Sequence, residues 1–207
     1  IHCKLRAFIA FVYGFTDVTS LIDSAATREA ILTTIEAVGE SATSEDEVVF
    51  FFSGHGLKGL AQDWDAEKVD EGICVWGDDD LGNPIMTYIW DGELQSAFSD
   101  FATSRIVFIF DTCLAGGMEE DLGQIGRVIA MACAENGYSY ESDALENGEF
   151  THYFVDEGML GGGANIHDYD GDERTGEPGQ VTVEEAFDYA KANCRLDKPT
   201  IGDDFEN

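Results

Sequence analysis

Residues 48–56 read VVFFFSGHG and residues 105–113 read RIVFIFDTC. Each is an unbroken apolar run of strand length that ends in small or turn-forming residues, the pattern of a β-strand covered on both faces. His55 lies just past the end of the first run and Cys113 just past the second. Parallel α/β sheets bind ligands beyond the carboxyl ends of their strands. If the two runs share such a sheet, an imidazole and a thiol stand at one edge. Taken singly, a cysteine after a strand is more often a packing residue and a histidine a surface or core residue. Paired at two strand ends, they point to catalysis.

Working outward, the chain alternates apolar strands with amphipathic helices. Residues 4–12 read as the end of a helix that leaves at Gly14, and Val18–Ile22 as a short strand. Ser24 opens a helix with a buried stripe of Ala26, Ala30, Ile31, Ile35 and Val38. Ile73–Trp76 reads as a strand, Asp91–Phe101 as a helix, Arg127–Cys133 as a third long apolar strand and Phe150–Leu160 as a helix. Thr182–Cys194 is the last clear helix, with Val183, Ala186, Phe187 and Ala190 on one face. This alternation predicts an α/β fold with right-handed crossovers and a mainly parallel sheet. The 207 residues, 44% of them apolar, suit a single domain over 1–207.

The chain carries 42 acidic and 11 basic residues, a formal charge of -31. The carboxylates are spread along its whole length, which argues against a disordered acidic tail and for a folded protein, either adapted to concentrated salt, the favoured reading, or merely an acidic mesophilic one. At ~1 M salt the Debye length falls to about 3 Å, and most self-repulsion is screened. Nucleic acid is excluded as a natural partner, since phosphate binding takes clustered Lys and Arg. No apolar run approaches the ~20 residues of a membrane helix, which predicts a soluble protein with no membrane association. Five cysteines without a CxxC pair suit a reducing, cytoplasmic compartment without excluding export. Cys74 and Cys133, inside apolar runs, read as packing residues.

FFFSGHG followed by IVFIFDTCLAGG resembles the paired signature of caspase and metacaspase-like cysteine peptidases, whose histidine stands roughly 50 residues before the cysteine; here the separation is 58. ENGYSYES at 135–142 and the acidic loop before VTVEEAFDYA resemble prokaryotic members. The resemblance implies a caspase-like three-layer sandwich, with the usual first strand missing before Ile1. It implies that the Cys113 thiolate attacks the scissile carbonyl and that His55 protonates the leaving amine, while the backbone N–H groups of Gly56 and Cys113 hold the oxyanion. It also makes Asp111 the floor of a pocket for Arg or Lys, because metacaspase-like enzymes carry Asp where aspartate-cutting caspases carry Gln. A carboxylate accepts a guanidinium bidentately, which agrees; the bland alternative is a strand-terminal turn residue. Leu114 and Ala115 replace the His and Ser common in metacaspases, making the neighbouring subsite more apolar. The implied partners are protein or peptide substrates with basic residues, and the implied state is a monomer. The chemistry needs no cofactor.

Between Cys113 and Arg127 there is no Lys or Arg, so an enzyme cutting after basic residues is expected to act as one uncut chain. Asp168, Asp170 and Asp172 have the alternate spacing of EF-hand ligands, and Glu185 resembles the closing carboxylate. The span from Asp168 to Glu185 is 18 positions, longer than the EF-hand's loop of about 12. The segment 165–185 is therefore either a degenerate calcium loop or a solvated acidic turn before a helix. Asp78, Asp79 and Asp80 read as solvent-facing, with cation binding the less favoured option. Two other functions compete. A catalytically silent caspase-like scaffold has no need for all of His55, Cys113 and Asp111, and a general α/β hydrolase lacks its GxSxG elbow.

Overall fold

The computed structural model describes residues 13–60, 69–166 and 181–205. In chain order its strands are β1 (Val48–Ser53), β2 (Gly56–Gly59), β3 (Asp70–Asp78), β4 (Pro84–Trp90), β5 (Ile106–Asp111), β6 (Arg127–Met131), β7 (Glu141–Ser142), β8 (Asn147–Gly148) and β9 (Thr200–Asp203). Its α-helices are α1 (Arg28–Ser41), α2 (Asp91–Phe98), α3 (Met118–Leu122), α4 (Glu149–Thr151) and α5 (Val183–Asn193). The chain divides into two compact units, one of Leu21–Tyr138 with Thr200–Asn207, the other of Ile1–Ser20 with Ser139–Pro199.

In the first unit the strand order is β1-β5-β6-β9. The first three strands run parallel and β9 antiparallel, so the sheet is mainly parallel as expected, with an added antiparallel edge. The two runs that open the sequence are direct neighbours, Val48 paired with Ile106 through to Ser53 with Asp111. β5 and β6 are buried at every position, whereas β1 is half-buried beyond Val48. The expectation that β1 is covered on both faces therefore fails; among the described residues β1 stands at the end of the strand order and not in the middle. On one face Phe50, Phe98 and Phe108 form an aromatic cluster, with Phe98 and Phe108 edge to face at 4.9 Å between centroids. Ile31 and Ile35 of α1 and Leu94 of α2 complete that core.

A second, antiparallel sheet of order β2-β3-β4 follows His55 directly. Sequence reading finds only the middle of β3 and misses β2 and β4. β2 is a four-residue strand with two glycines, and β4 alternates without an apolar period because most of it is exposed. Asp79 organises the turn between β3 and β4, its Oδ1 accepting the N–H groups of Leu81 and Asn83 at 2.9 and 2.8 Å.

Three boundaries differ from expectation. Val18–Ile22 forms no strand, and the helix expected from Ser24 starts at Arg28 after a 3-10 turn at Asp23–Ala25. The cap is Thr27, whose Oγ1 accepts the N–H of Ala30 at 3.2 Å. The helix expected to reach Phe101 ends at Phe98, and the third long strand ends at Met131.

In the second unit the expected helix over Phe150–Leu160 begins as α4 and continues as π-helical turns over His152–Leu160. Glycine permits these wide turns: a Cβ at Gly158 would meet the carbonyl of Tyr153, five residues back, at 2.7 Å. α5 packs on this segment, the Tyr189 hydroxyl donating to Glu157 at 3.1 Å. Glu149 and Asp197 interlock two loops. The Glu149 carboxylate accepts the N–H groups of Leu196 and Asp197 at 2.7 and 2.8 Å, and that of Asp197 accepts those of Tyr140 and Phe150 at 2.8 and 3.1 Å.

Candidate active site

The register of β1 on β5 sets the site. Ser53 stands opposite Asp111, and His55 and Cys113 each follow their member of that pair by two residues. The Gly54 N–H donates to the Asp111 carbonyl at 3.1 Å, holding the histidine turn to the end of β5. From the other side the Cys74 N–H of β3 donates to the His55 carbonyl at 2.8 Å, so the turn is fixed by both sheets. His55 is exposed and Cys113 half-buried. Gly56 cannot carry a side chain, because a Cβ there would collide with the Cys113 carbonyl and the Thr112 hydroxyl. The two turns are in contact.

The nucleophile turn is held just as closely. Leu114 adopts a left-handed backbone at φ 63°, a conformation uncommon for a branched side chain and typical of functional turns. Its N–H donates to the Gly137 carbonyl at 3.0 Å, and Gly117 closes the turn by donating to the Leu114 carbonyl at 3.1 Å. Gly116 and Gly117 are required by close neighbours, the backbone of Ala134 and Glu135 on one side and the Glu71 carboxyl on the other. Below, the Cys133 thiol donates to the Thr112 carbonyl at 3.4 Å. Cys133 is buried as expected, and Cys74 is half-buried, with burial pushing its thiol pKa up.

Asp111 is buried, 3% exposed, at the last position of β5. Of the residues expected to bind calcium, Asp168, Asp170 and Asp172 lie outside the described residues. Glu185 is buried in a capping box at the start of α5, its Oε2 accepting the Thr182 N–H at 2.9 Å while Thr182 Oγ1 accepts the Glu185 N–H at 3.2 Å. Among the described residues, no three His, Cys, Asp or Glu side chains are arranged to hold a metal ion.

Sequence reading missed a group of carboxylates behind the nucleophile turn. Asp70, Glu71, Asp91 and Asp121 are 1%, 2%, 0% and 9% exposed. The Glu71 N–H donates to Asp91 Oδ2 at 3.2 Å, and Gln95 Nε2 donates to Asp121 Oδ1 at 3.3 Å. Burial raises the Glu71 pKa to about 7, helped by the charge of Glu135 and opposed by Lys58. Burial likewise raises Asp91 to about 7, against the N–H groups of Glu71 and Gly92 and with the charges of Asp121 and Asp70. The available signal was the Asp70-Glu71 pair running directly into the apolar strand GICVW, an acidic start that a solvent-exposed charge run does not need.

An α/β domain with a histidine and a cysteine in touching turns at the ends of adjacent parallel strands defines the caspase-like class of fold. A family comparison agrees: the metacaspase, peptidase C14 domain matches residues 3–121. The chain belongs to that family of cysteine peptidases. Among solved structures, one from Geobacter sulfurreducens superposes with a TM-score of 0.65 at 18% identity, covering 99% of this chain and 82% of that one. Raptor from Chaetomium thermophilum gives a TM-score of 0.51 at 14% identity, over 90% of this chain and 16% of that one. At such identities the likeness is one of fold. No curated protein matches the sequence. Among the described residues, no helix is long and apolar enough to cross a membrane.

Proposed function

We propose that this chain is a cysteine endopeptidase that cleaves after Arg or Lys through a Cys113/His55 dyad. The observation that carries the reading is the equal two-residue offset of His55 and Cys113 from the paired Ser53 and Asp111. That offset sets both side chains on turns that touch at Gly56. The Cys113 sulfur attacks the scissile carbonyl carbon, forming a C–S bond and a tetrahedral oxyanion that accepts from the Gly56 and Cys113 N–H groups. His55 gives its proton to the leaving amine as the C–N bond breaks. Water, deprotonated by His55, then displaces the thiolate from the thioester. Each oxyanion donor is worth roughly 3–4 kcal/mol in enzymes where one was removed.

Asp111 supplies the negative charge for the basic side chain of the substrate. Since residues 114–126 contain no Lys or Arg, the enzyme acts as one uncut chain; the family resemblance favours a monomer. The acidic surface belongs to a protein working in concentrated salt, where screening limits the opposition of the carboxylates to thiolate formation. Calcium at the acidic loop 165–185 is a separate proposal, tested by comparing melting temperatures with calcium and with chelator; equal values refute it.

The decisive test is a panel of fluorogenic Arg, Lys and Asp peptide amides in molar KCl, with Cys113→Ala as control. Cleavage of the basic peptides alone, lost in the variant, is expected. Preference for the Asp peptide refutes the pocket assignment. Binding of the basic peptides without cleavage replaces the peptidase with a scaffold.

A further inference from the structure

Glu71 is 2% exposed, and its carboxyl fills the space where Gly117, at the end of the nucleophile turn, would carry a side chain. Its Oε1 accepts no hydrogen bond from any described residue. A buried carboxyl with an unpartnered oxygen destabilises the fold wherever it is ionised, and the fold nevertheless sets one against the turn that begins at Cys113. The catalytic steps above make no use of it.

We infer that Glu71 is a positioning residue for the nucleophile, holding the Cys113–Gly117 turn in place when protonated and disturbing it when ionised. This rests on the peptidase reading above. Charged groups reach Glu71 from every neighbouring element: Lys58 opposite it on β2, Asp70 on its own strand, Asp91 at the start of α2, Glu120 on α3 and Glu135 after β6. Lys58 is the one cation among them. It is exposed, and its ammonium donates to Asn136 at 2.6 Å, so it does not neutralise the buried carboxyl. Burial, with the charges of Glu135, Glu120 and Asp70 and against that of Lys58, raises the Glu71 pKa to about 7. Below that pH the carboxyl is neutral and fits against Gly117. Above it, a desolvated negative charge sits behind the thiol, both repelling a thiolate and pressing toward solvent past the turn.

The test reads Cys113 itself, so that it does not depend on turnover. Iodoacetamide alkylation of Cys113, followed by peptide mass spectrometry in molar KCl from pH 5.5 to 8.5, is compared for the wild type and Glu71→Gln. The glutamine keeps the shape of the protonated acid and stays neutral. Equal rates are expected at pH 6, and at pH 8 a rate about three- to tenfold higher in Glu71→Gln. A second pair of variants reads the contact: Gly117→Ala should slow alkylation at every pH, and Gly117→Ala with Glu71→Ala should recover most of the rate. Superposable wild-type and Glu71→Gln profiles overturn the proposal, as does a double variant no faster than Gly117→Ala. Absence of peptide cleavage by a wild-type protein with the expected alkylation profile overturns the peptidase reading and leaves the role of Glu71 intact.

Discussion

Two pairs of buried carboxylates, one in each unit, are treated in opposite ways. Glu149 and Asp197 are buried among backbone N–H groups that they accept. Burial alone would raise the Glu149 pKa, yet the N–H groups of Asp197, Leu196 and Arg195 bring it below the ordinary value. Glu71 and Asp91 are buried as deeply, but among other carboxylates, and their pKa values rise to about 7. In all three carboxyls burial favours the proton; around Glu149 backbone N–H groups outweigh it, and around Glu71 and Asp91 neighbouring carboxylates add to it. The satisfied pair ties loops together, whereas the other lies behind the Cys113 turn, where Asp91 accepts the N–H groups of Glu71 and Gly92 but Glu71 Oε1 accepts none from a described residue.

The largest effect should come from breaking the satisfied pair. Asp197→Ala leaves the N–H of Tyr140 and the buried N–H of Phe150 without their Asp197 acceptor, at a cost of about 3 kcal/mol. Urea denaturation in molar KCl would measure it. A loss below about 1 kcal/mol would mean that the interlock is incidental.

The opposite sign is expected at Glu71. Its folded-state pKa lies above the unfolded value of 4.5, so its contribution is fully present below about pH 4.5 and is lost as pH rises through about 7. Glu71→Gln should therefore match the wild type near pH 5 and exceed it by about 1–2 kcal/mol at pH 8. Melting curves across that range read the difference, and a variant less stable than the wild type at pH 8 would sink the assignment.

How much of this was legible depends on what each feature leaves in the sequence. β1 and β5 are written as apolar runs, and glycine and small residues mark their ends, so the strands, the place of His55 and Cys113 at their ends and the α/β class are legible as pattern, while the caspase-like class came from the family resemblance. β2 and β4 leave little trace: Gly56–Gly59 is short and Pro84–Trp90 is mostly exposed, so neither has an apolar period to read. Asp70, Glu71 and Asp91 were hidden for a different reason. In a chain with 42 acidic residues a buried carboxylate looks like any other, and only tertiary neighbours distinguish Glu71, against Gly117, from solvent-facing acids such as Asp80. The glycines at 116 and 117 were visible as flexible flanks, but their cause, the close approach of Ala134–Glu135 and of Glu71, required the fold.

The smallest and most discriminating effect is at Glu149. The N–H groups of Leu196 and Asp197 both donate to Oε2, and the amide oxygen of Glu149→Gln can still accept them, so what is lost there is the charge and not the geometry. A charge-assisted bond is roughly twice as strong as a neutral one, which sets the loss at about 1 kcal/mol near pH 7. Because the folded-state pKa is depressed, the wild-type advantage exists above pH 4.5 and disappears as pH falls through the lower folded value. The difference between wild type and Glu149→Gln should thus shrink on acidification, while that at Glu71 grows on alkalinisation. Plotted together from pH 3 to 8.5, the two stability differences should both be small at the acid end and separate with opposite signs as pH rises. Parallel curves would show that net charge, and not the local partners of each carboxylate, governs both units.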